Sequence, residues 1–233
     1  MIYDTTSVNG KYWAFRDWCK LINDTFHEYV DCNVKLFDDK KTELDKLYEE
    51  CEDDEVGFAN IWMSEPEVYN YMFIRGALNA GLIYIYSQFE KQIIELAKLV
   101  GPEYAPPRGG VITDACDFIK KKSELDFSSC RSSWNYILDF QQIRHACVHH
   151  DGTTYEQRHI DAIKRLRRSL KISEHSDGGW EICLTRKNLI DISDKMSYFF
   201  GSLIAELEKC ENQKNNNLDK IEGDSKLRLN FLK

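Results

Sequence analysis

The stretch YMFIRGALNAGLIYIYSQFEKQIIELAKLV (71–100) decides the fold class. Tyr71, Ile74, Leu78, Leu82, Ile85, Phe89, Ile93, Leu96 and Val100 recur at three- and four-residue steps, the period of one helix face. Just upstream, Ser64-Glu65-Pro66-Glu67 has the form of a helix start. Ser64 can cap, Pro66 is tolerated early in a helix, and Glu67 completes a capping box. Together these predict a helix of some 35 residues, about 50 Å long at 1.5 Å per residue. Its middle, GALNAGLIYIY (76–86), is apolar nearly all round, but Arg75, Asn79 and Gln88 interrupt the window. Charged and amide groups in that register suit a central bundle helix, and no membrane span is expected.

Working outward, helical spacing also organises residues 12–52. Phe15, Trp18, Ile22, Phe26 and Tyr29, then Val34, Phe37, Leu44, Leu47 and Tyr48, predict one long helix or two with a bend near Asp31–Asn33. The run CEDDE (51–55) reads as a solvated linker. Downstream, Gly101-Pro102 stops the long helix and PPRGG (106–110) is a loop. A short helix is expected over Thr113–Lys122, and another from Ser132 to a stop near Gly152. Thr153 and Glu156 have capping-box spacing and predict a helix from there to about Ser169. Leu170–Ser173 and Trp180–Leu184 flank HSDGG (175–179) as a β-hairpin. A last helix starts at Thr185 or Asn188 and runs through Leu203; from Glu211 the chain turns polar. The fold class is therefore all-α, a helical bundle with one small β-hairpin before the last long helix. Three segments are expected: an acidic helical extension over 1–64, a helical domain over 65–210 and a polar, mobile tail over 211–233.

Composition agrees. The 233 residues include 12 Gly and 4 Pro, too few for the many turns of a sandwich or propeller, while 42% hydrophobic content supplies a core. The eight cysteines show no C-x-x-C pair, which speaks against a zinc ribbon or a thioredoxin-like motif. Scattered thiols, with no basic and apolar leader in MIYDTTSVNG (1–10), lead to the expectation of a cytoplasmic chain. The net charge of −8 is confined to residues 1–56, where 15 acidic side chains face 7 basic ones; the remainder balances. Acidity therefore does not exclude a local basic surface elsewhere.

The chemistry concentrates in IRHACVHHDG (143–152). Four of the six histidines, His145, His149, His150 and His159, lie within fifteen residues. A basic helix end can simply complement the helix dipole. A metal reading sets His145 and His149 four apart on one helix face with Asp151 beyond, but zinc hydrolases of that spacing carry Glu where Ala146 stands, and no metal or other cofactor is expected. The third reading is acid–base chemistry on a phosphodiester. Imidazole exchanges protons near neutrality, and a guanidinium fork stabilises the charge of a pentavalent phosphate. RNA supplies its own nucleophile, the 2′-hydroxyl.

Arg144-His145-Ala146-Cys147-Val148-His149 resembles the R-φ-x-x-x-H motif of HEPN-domain ribonucleases, with His145 in the polar φ position. The helix carrying YIYSQFEKQI (84–93) is similar to the S-x-x-E helix of some subfamilies, and LKISEHSDGGWEICLTRKNLIDIS (170–193) to their closing segment. The resemblance covers about residues 65–210. It implies a metal-independent endoribonuclease acting as a symmetric homodimer on an RNA substrate, often a toxin or antiviral defence effector with an antitoxin or defence-system partner. Carried over by position, Arg144 binds the phosphate, His149 is the acid–base group and His145 orients the site; His150 is a second candidate base and Glu90 a support. Asp151 stands where some HEPN toxins carry a modified Tyr. Five residues turn a helix by about 500°, which leaves Arg144 and His149 roughly 140° apart; the length of Arg, a loosened helix near Gly152 or a site spanning two protomers would reconcile them, and the composite dimer site is the preferred expectation. Arg158, Lys164, Arg165 and Arg168 form the basic face of the next helix and are the candidate RNA contacts. Trp180 is a candidate for base stacking. The rival reading is a non-catalytic helical module that binds a nucleotide or a protein.

Overall fold

The computed structural model describes residues 8–50, 73–150, 152–174 and 178–230. Six α-helices lie among them: α1 (Val8–Glu50), α2 (Arg75–Val100), α3 (Val111–Ser123), α4 (Arg131–His150), α5 (Gln157–Leu166) and α6 (Arg186–Asn230). A 3₁₀ turn, Ser128–Cys130, precedes α4. Three short strands, β1 (Thr153–Thr154), β2 (Lys171–Glu174) and β3 (Trp180–Cys183), form an antiparallel sheet in the order β1-β3-β2. The fold is mostly α with a small β-hairpin, as the sequence periodicity requires. No helix among the described residues is long and apolar enough to cross a membrane.

The chain divides into two compact units. The first draws on Met1–Leu21, Phe89–Ser133 and Ser197–Lys233, and the second on Ile22–Gln88 and Trp134–Met196. The long helices α1, α2 and α6 each contribute a stretch to both. In the first unit the core is aromatic. Phe89 packs on Phe200 with ring centres 5.0 Å apart and on Phe199 at 5.8 Å, and Phe15 meets Phe200 edge-on. Such contacts add to the area term that already favours burying these rings. In the second unit Leu82, Ile85, Ile137, Phe140, Ile143, Ile163, Ile182 and Ile192 are buried, and the buried Tyr86 donates its hydroxyl to the Ile137 carbonyl. That bond satisfies the one polar atom of a large buried side chain.

Three local outcomes refine the sequence reading. The first helix is continuous through Asp31–Asn33, where Asn33 Nδ2 donates to the Tyr29 carbonyl and no helix breaker intervenes. The last helix does not end near residue 210 but runs to Asn230. The predicted capping box at Thr153 is absent. Thr153 and Thr154 pair with Glu181 and Trp180 as a strand, and the helix is instead capped by Glu156, whose backbone is extended. Pairing with β3 holds Thr153 out of a capping position, so α5 starts three residues late. The helix start at Ser64–Glu67, the acidic run 51–55 and Asp151 lie outside the described residues.

Candidate active site

The site begins with how α4 ends. Its apolar positions, Trp134, Ile137, Phe140, Ile143, Ala146 and Cys147, are buried, so the polar residues between them are carried to the surface. Gly152 closes the helix: its φ of +77° is left-handed, and its N–H donates to the Ala146 carbonyl at 3.1 Å. The Gly152 carbonyl then accepts the Ile182 N–H at 2.9 Å, locking the helix end to the sheet. A part-buried ion pair, Arg75 Nη1 to Glu181 Oε1 at 2.5 Å, lies against the same glycine.

Within this frame, His145 and His149 stack one turn apart, with ring centres 5.8 Å apart and planes 20° from parallel. His149 is exposed and His145 half-buried. Burial lowers the pKa of His145, and the positive charges of Arg144 and Arg158 lower it further. A second histidine pair lies beside the first. His150 and His159 have ring centres 5.8 Å apart, and the Glu156 carboxylate stands between them. His150 Nε2 is 2.9 Å from Glu156 Oε1, and Glu156 Oε2 accepts from Arg158 Nε at 2.7 Å. His159 is only 1% exposed, which pushes its pKa down. Its Nδ1 is 2.8 Å from Thr154 Oγ1, while its Nε2 is buried with no hydrogen-bond partner among the described residues. Hydrogen bonds from Arg158 first, and then from His150, hold Glu156 below the usual carboxylate range.

No protein-family model, curated protein or solved structure matches this chain.

Of the residues singled out in sequence, α4 brings His145 and His149 together and places His150 beside them. Arg144 is half-buried, its Nε buried without a hydrogen-bond partner among the described residues. It acts on the buried Tyr86, opposing the rise that burial imposes on that hydroxyl's pKa. Helix α4 stays regular through His150, so Arg144 and His149 keep their divergent phases within one chain. Glu90 is half-buried and belongs to the first unit, whereas the motif belongs to the second. On α5, Arg158, Lys164, Arg165 and nearby Arg168 are exposed. Arg165 is held by a two-pronged bond to Asp139, with contacts of 2.7–3.0 Å. Trp180 sits half-buried on β3 opposite Glu174 and Thr154.

A groove of about 580 Å³ runs between α4 and α5, lined by Asn135, Leu138, Asp139, Gln142, Arg158 and Arg165 among others. Arg158 belongs both to this groove and to the histidine cluster. Sequence reasoning missed three participants: Glu156, read as a cap; His159, counted but given no role; and Thr154. One signal was present, because a third and fourth histidine flank a turn glycine within ten residues.

Proposed function

We propose that this chain is a metal-independent endoribonuclease of the HEPN type, working as a homodimer in the cytoplasm. The observation that carries the reading is the stacked His145–His149 pair, with Arg144 and Arg158 acting electrostatically on His145 and Arg158 also lining the groove of about 580 Å³ between α4 and α5. The neutral His145 imidazole accepts the proton of the RNA 2′-hydroxyl as that oxygen attacks the adjacent phosphorus. The P–O5′ bond breaks, and a protonated imidazole, His149, returns a proton to the leaving 5′-oxygen. The products are a 2′,3′-cyclic phosphate and a free 5′-hydroxyl. A guanidinium fork offsets the extra charge of the five-coordinate phosphorus. Arg158 is the accessible guanidinium in one chain. A second copy would let Arg144 of one protomer and His149 of the other serve one cleft. Toxin or antiviral-defence use, with an antitoxin or defence partner protein, follows from the same proposal.

The test is incubation of the purified protein with total tRNA and ribosomal RNA, with and without chelator, and analysis of the cut ends. Cleavage that survives EDTA, leaves cyclic phosphate ends and disappears in His145→Ala and His149→Ala is expected. Undiminished cleavage by both folded variants overturns the site assignment. The half-buried setting of Arg144 beside Tyr86 favours a second reading, a non-catalytic module that binds a nucleotide or a protein through the same groove. RNA binding without turnover in either form would establish that reading instead.

A further inference from the structure

The lower half of the histidine cluster is not used by the ribonuclease reading. His150, Glu156 and His159 place one ligand atom each within 4.8 Å of one another. His150 Nε2 and Glu156 Oε1 are 2.9 Å apart, and Glu156 Oε2 and His159 Nε2 are 3.9 Å apart. Metal–ligand bonds of about 2.0–2.2 Å in a tetrahedral zinc site set ligand atoms roughly 3.3 Å from each other. The approaches of the two imidazoles, each to its own oxygen of the one carboxylate, lie on either side of that value.

We propose that His150, Glu156 and His159 form a binding site for one late first-row divalent ion, Zn²⁺ by preference. Two imidazoles and one carboxylate are a recurrent three-ligand zinc set, with the fourth position left to water. The deciding observation is His159. Its ring is almost wholly buried, yet Nε2 has no hydrogen-bond partner among the described residues and faces the carboxylate. Leaving such an atom bare in a folded interior is costly unless something occupies it. Its other nitrogen is oriented by Thr154 Oγ1, which also accepts the Glu156 N–H at 3.2 Å. A hydroxyl already accepting from a backbone N–H can accept from Nδ1–H as well, and that tautomer turns the Nε2 lone pair toward the site. Metal-binding histidines are commonly held in this way by a second oxygen. The ligands come from the end of α4, the turn after β1 and the first turn of α5. A bound ion would therefore clip the two helices across the residue 151–156 connection. None of Arg144, His145 or His149 takes part, so chelation that empties the site leaves the motif residues in place.

The experiment is titration of Zn²⁺ into the chelator-stripped full chain by calorimetry, with Co²⁺ as the spectroscopic probe. One ion per chain is expected, with a visible d–d spectrum of a low-coordinate N/O site and a Tm that rises with ion concentration. Thr154→Val should weaken binding roughly 10–100-fold through loss of ring orientation. His150→Ala and Glu156→Gln, both on partly exposed side chains, should weaken it further, while His149→Ala should leave it intact. Absence of saturable one-to-one binding refutes the site. So does affinity unchanged in His150→Ala and Glu156→Gln, and loss in His149→Ala would move the ion to the stacked His145–His149 pair. Failure of this test leaves the ribonuclease reading standing, because that activity is measured in chelator.

Discussion

Replacing Gly152 with alanine tests whether the helix end is held as tightly as the geometry requires. Gly152 has a φ of +77°, which costs an L-residue about 1–2 kcal/mol. A Cβ placed there would lie 2.9 Å from Arg75 Nη2 and 3.3 Å from the Ile182 carbonyl. The carbonyl belongs to β3 and cannot retreat, and the guanidinium is fixed by its ion pair with Glu181, where both side chains are at most 14% exposed. Overpacking of this sort costs about 1–3 kcal/mol, so the total is about 3 kcal/mol. For a chain of this size that lowers Tm by about 6–12 °C. Gly178 is the control: its φ is +85°, but nothing lies within 4 Å of the position its Cβ would take. Gly178→Ala therefore carries only the conformational part, about 1–2 kcal/mol. Urea melts followed by circular dichroism, with differential scanning calorimetry, measure both variants. If Gly152→Ala loses no more stability than Gly178→Ala, the contact with Arg75 and Ile182 does not constrain the helix end. The stacked histidines lie within seven residues of this glycine, so cleavage should fall further in Gly152→Ala than in Gly178→Ala.

Two further outcomes follow from burial. Arg75→Ala removes the guanidinium partner of the part-buried Glu181 carboxylate, which keeps the Ser173 hydroxyl at 3.2 Å, and should cost about 1.5–3 kcal/mol in denaturant melts, whereas the double replacement by methionine at both positions should recover most of it. Acidification should destabilise the chelator-treated protein through His145. Its imidazole is held below the ordinary 6.5, mainly by burial, so between the two values the unfolded chain binds more protons and stability rises with pH. That contribution is complete above about pH 6.5 and is lost as the pH falls through the depressed value; the drop in urea midpoint from pH 7 to pH 5 should be smaller in His145→Gln, and an equal drop would deny the shift.

The helices were legible because their information is local. The three- and four-residue steps from Ile74 to Val100 describe α2 whatever surrounds it, and the limits of α4 follow from Ser132 and Gly152 to within two residues. The hairpin was legible for the same reason, since β2 and β3 flank a glycine turn. What could not be read locally was β1. Two threonines become a strand only because β3 arrives from some thirty residues downstream, and nothing in Thr153-Thr154 announces that partner. The misplaced cap follows from this one long-range pairing, because a residue committed to a sheet cannot also cap a helix.

The site was legible in part by the same logic. The spacing of four between His145 and His149 puts them on one face, and they stack there. Spacing also implied that Arg144 faces elsewhere, and its half-buried position beside Tyr86 agrees. Two roles were beyond the spacing argument. His159 becomes the buried member of the cluster only because β1 turns the chain back, placing the first turn of α5 against the last turn of α4. Glu156 then stands at the N-cap position of α5 with its carboxylate between His150 and His159 and paired with Arg158. An acidic residue with three cationic or potentially cationic neighbours is held ionised. A fixed negative charge between two imidazoles favours a cation in the space they share. Its neighbour His145, stacked on His149, instead lies under the positive charge of Arg144 and Arg158, which favours an anion. One helix end thus presents two adjoining fields of opposite preference, and this separates a phosphate-handling pair from a metal-binding triad within a single run of histidines.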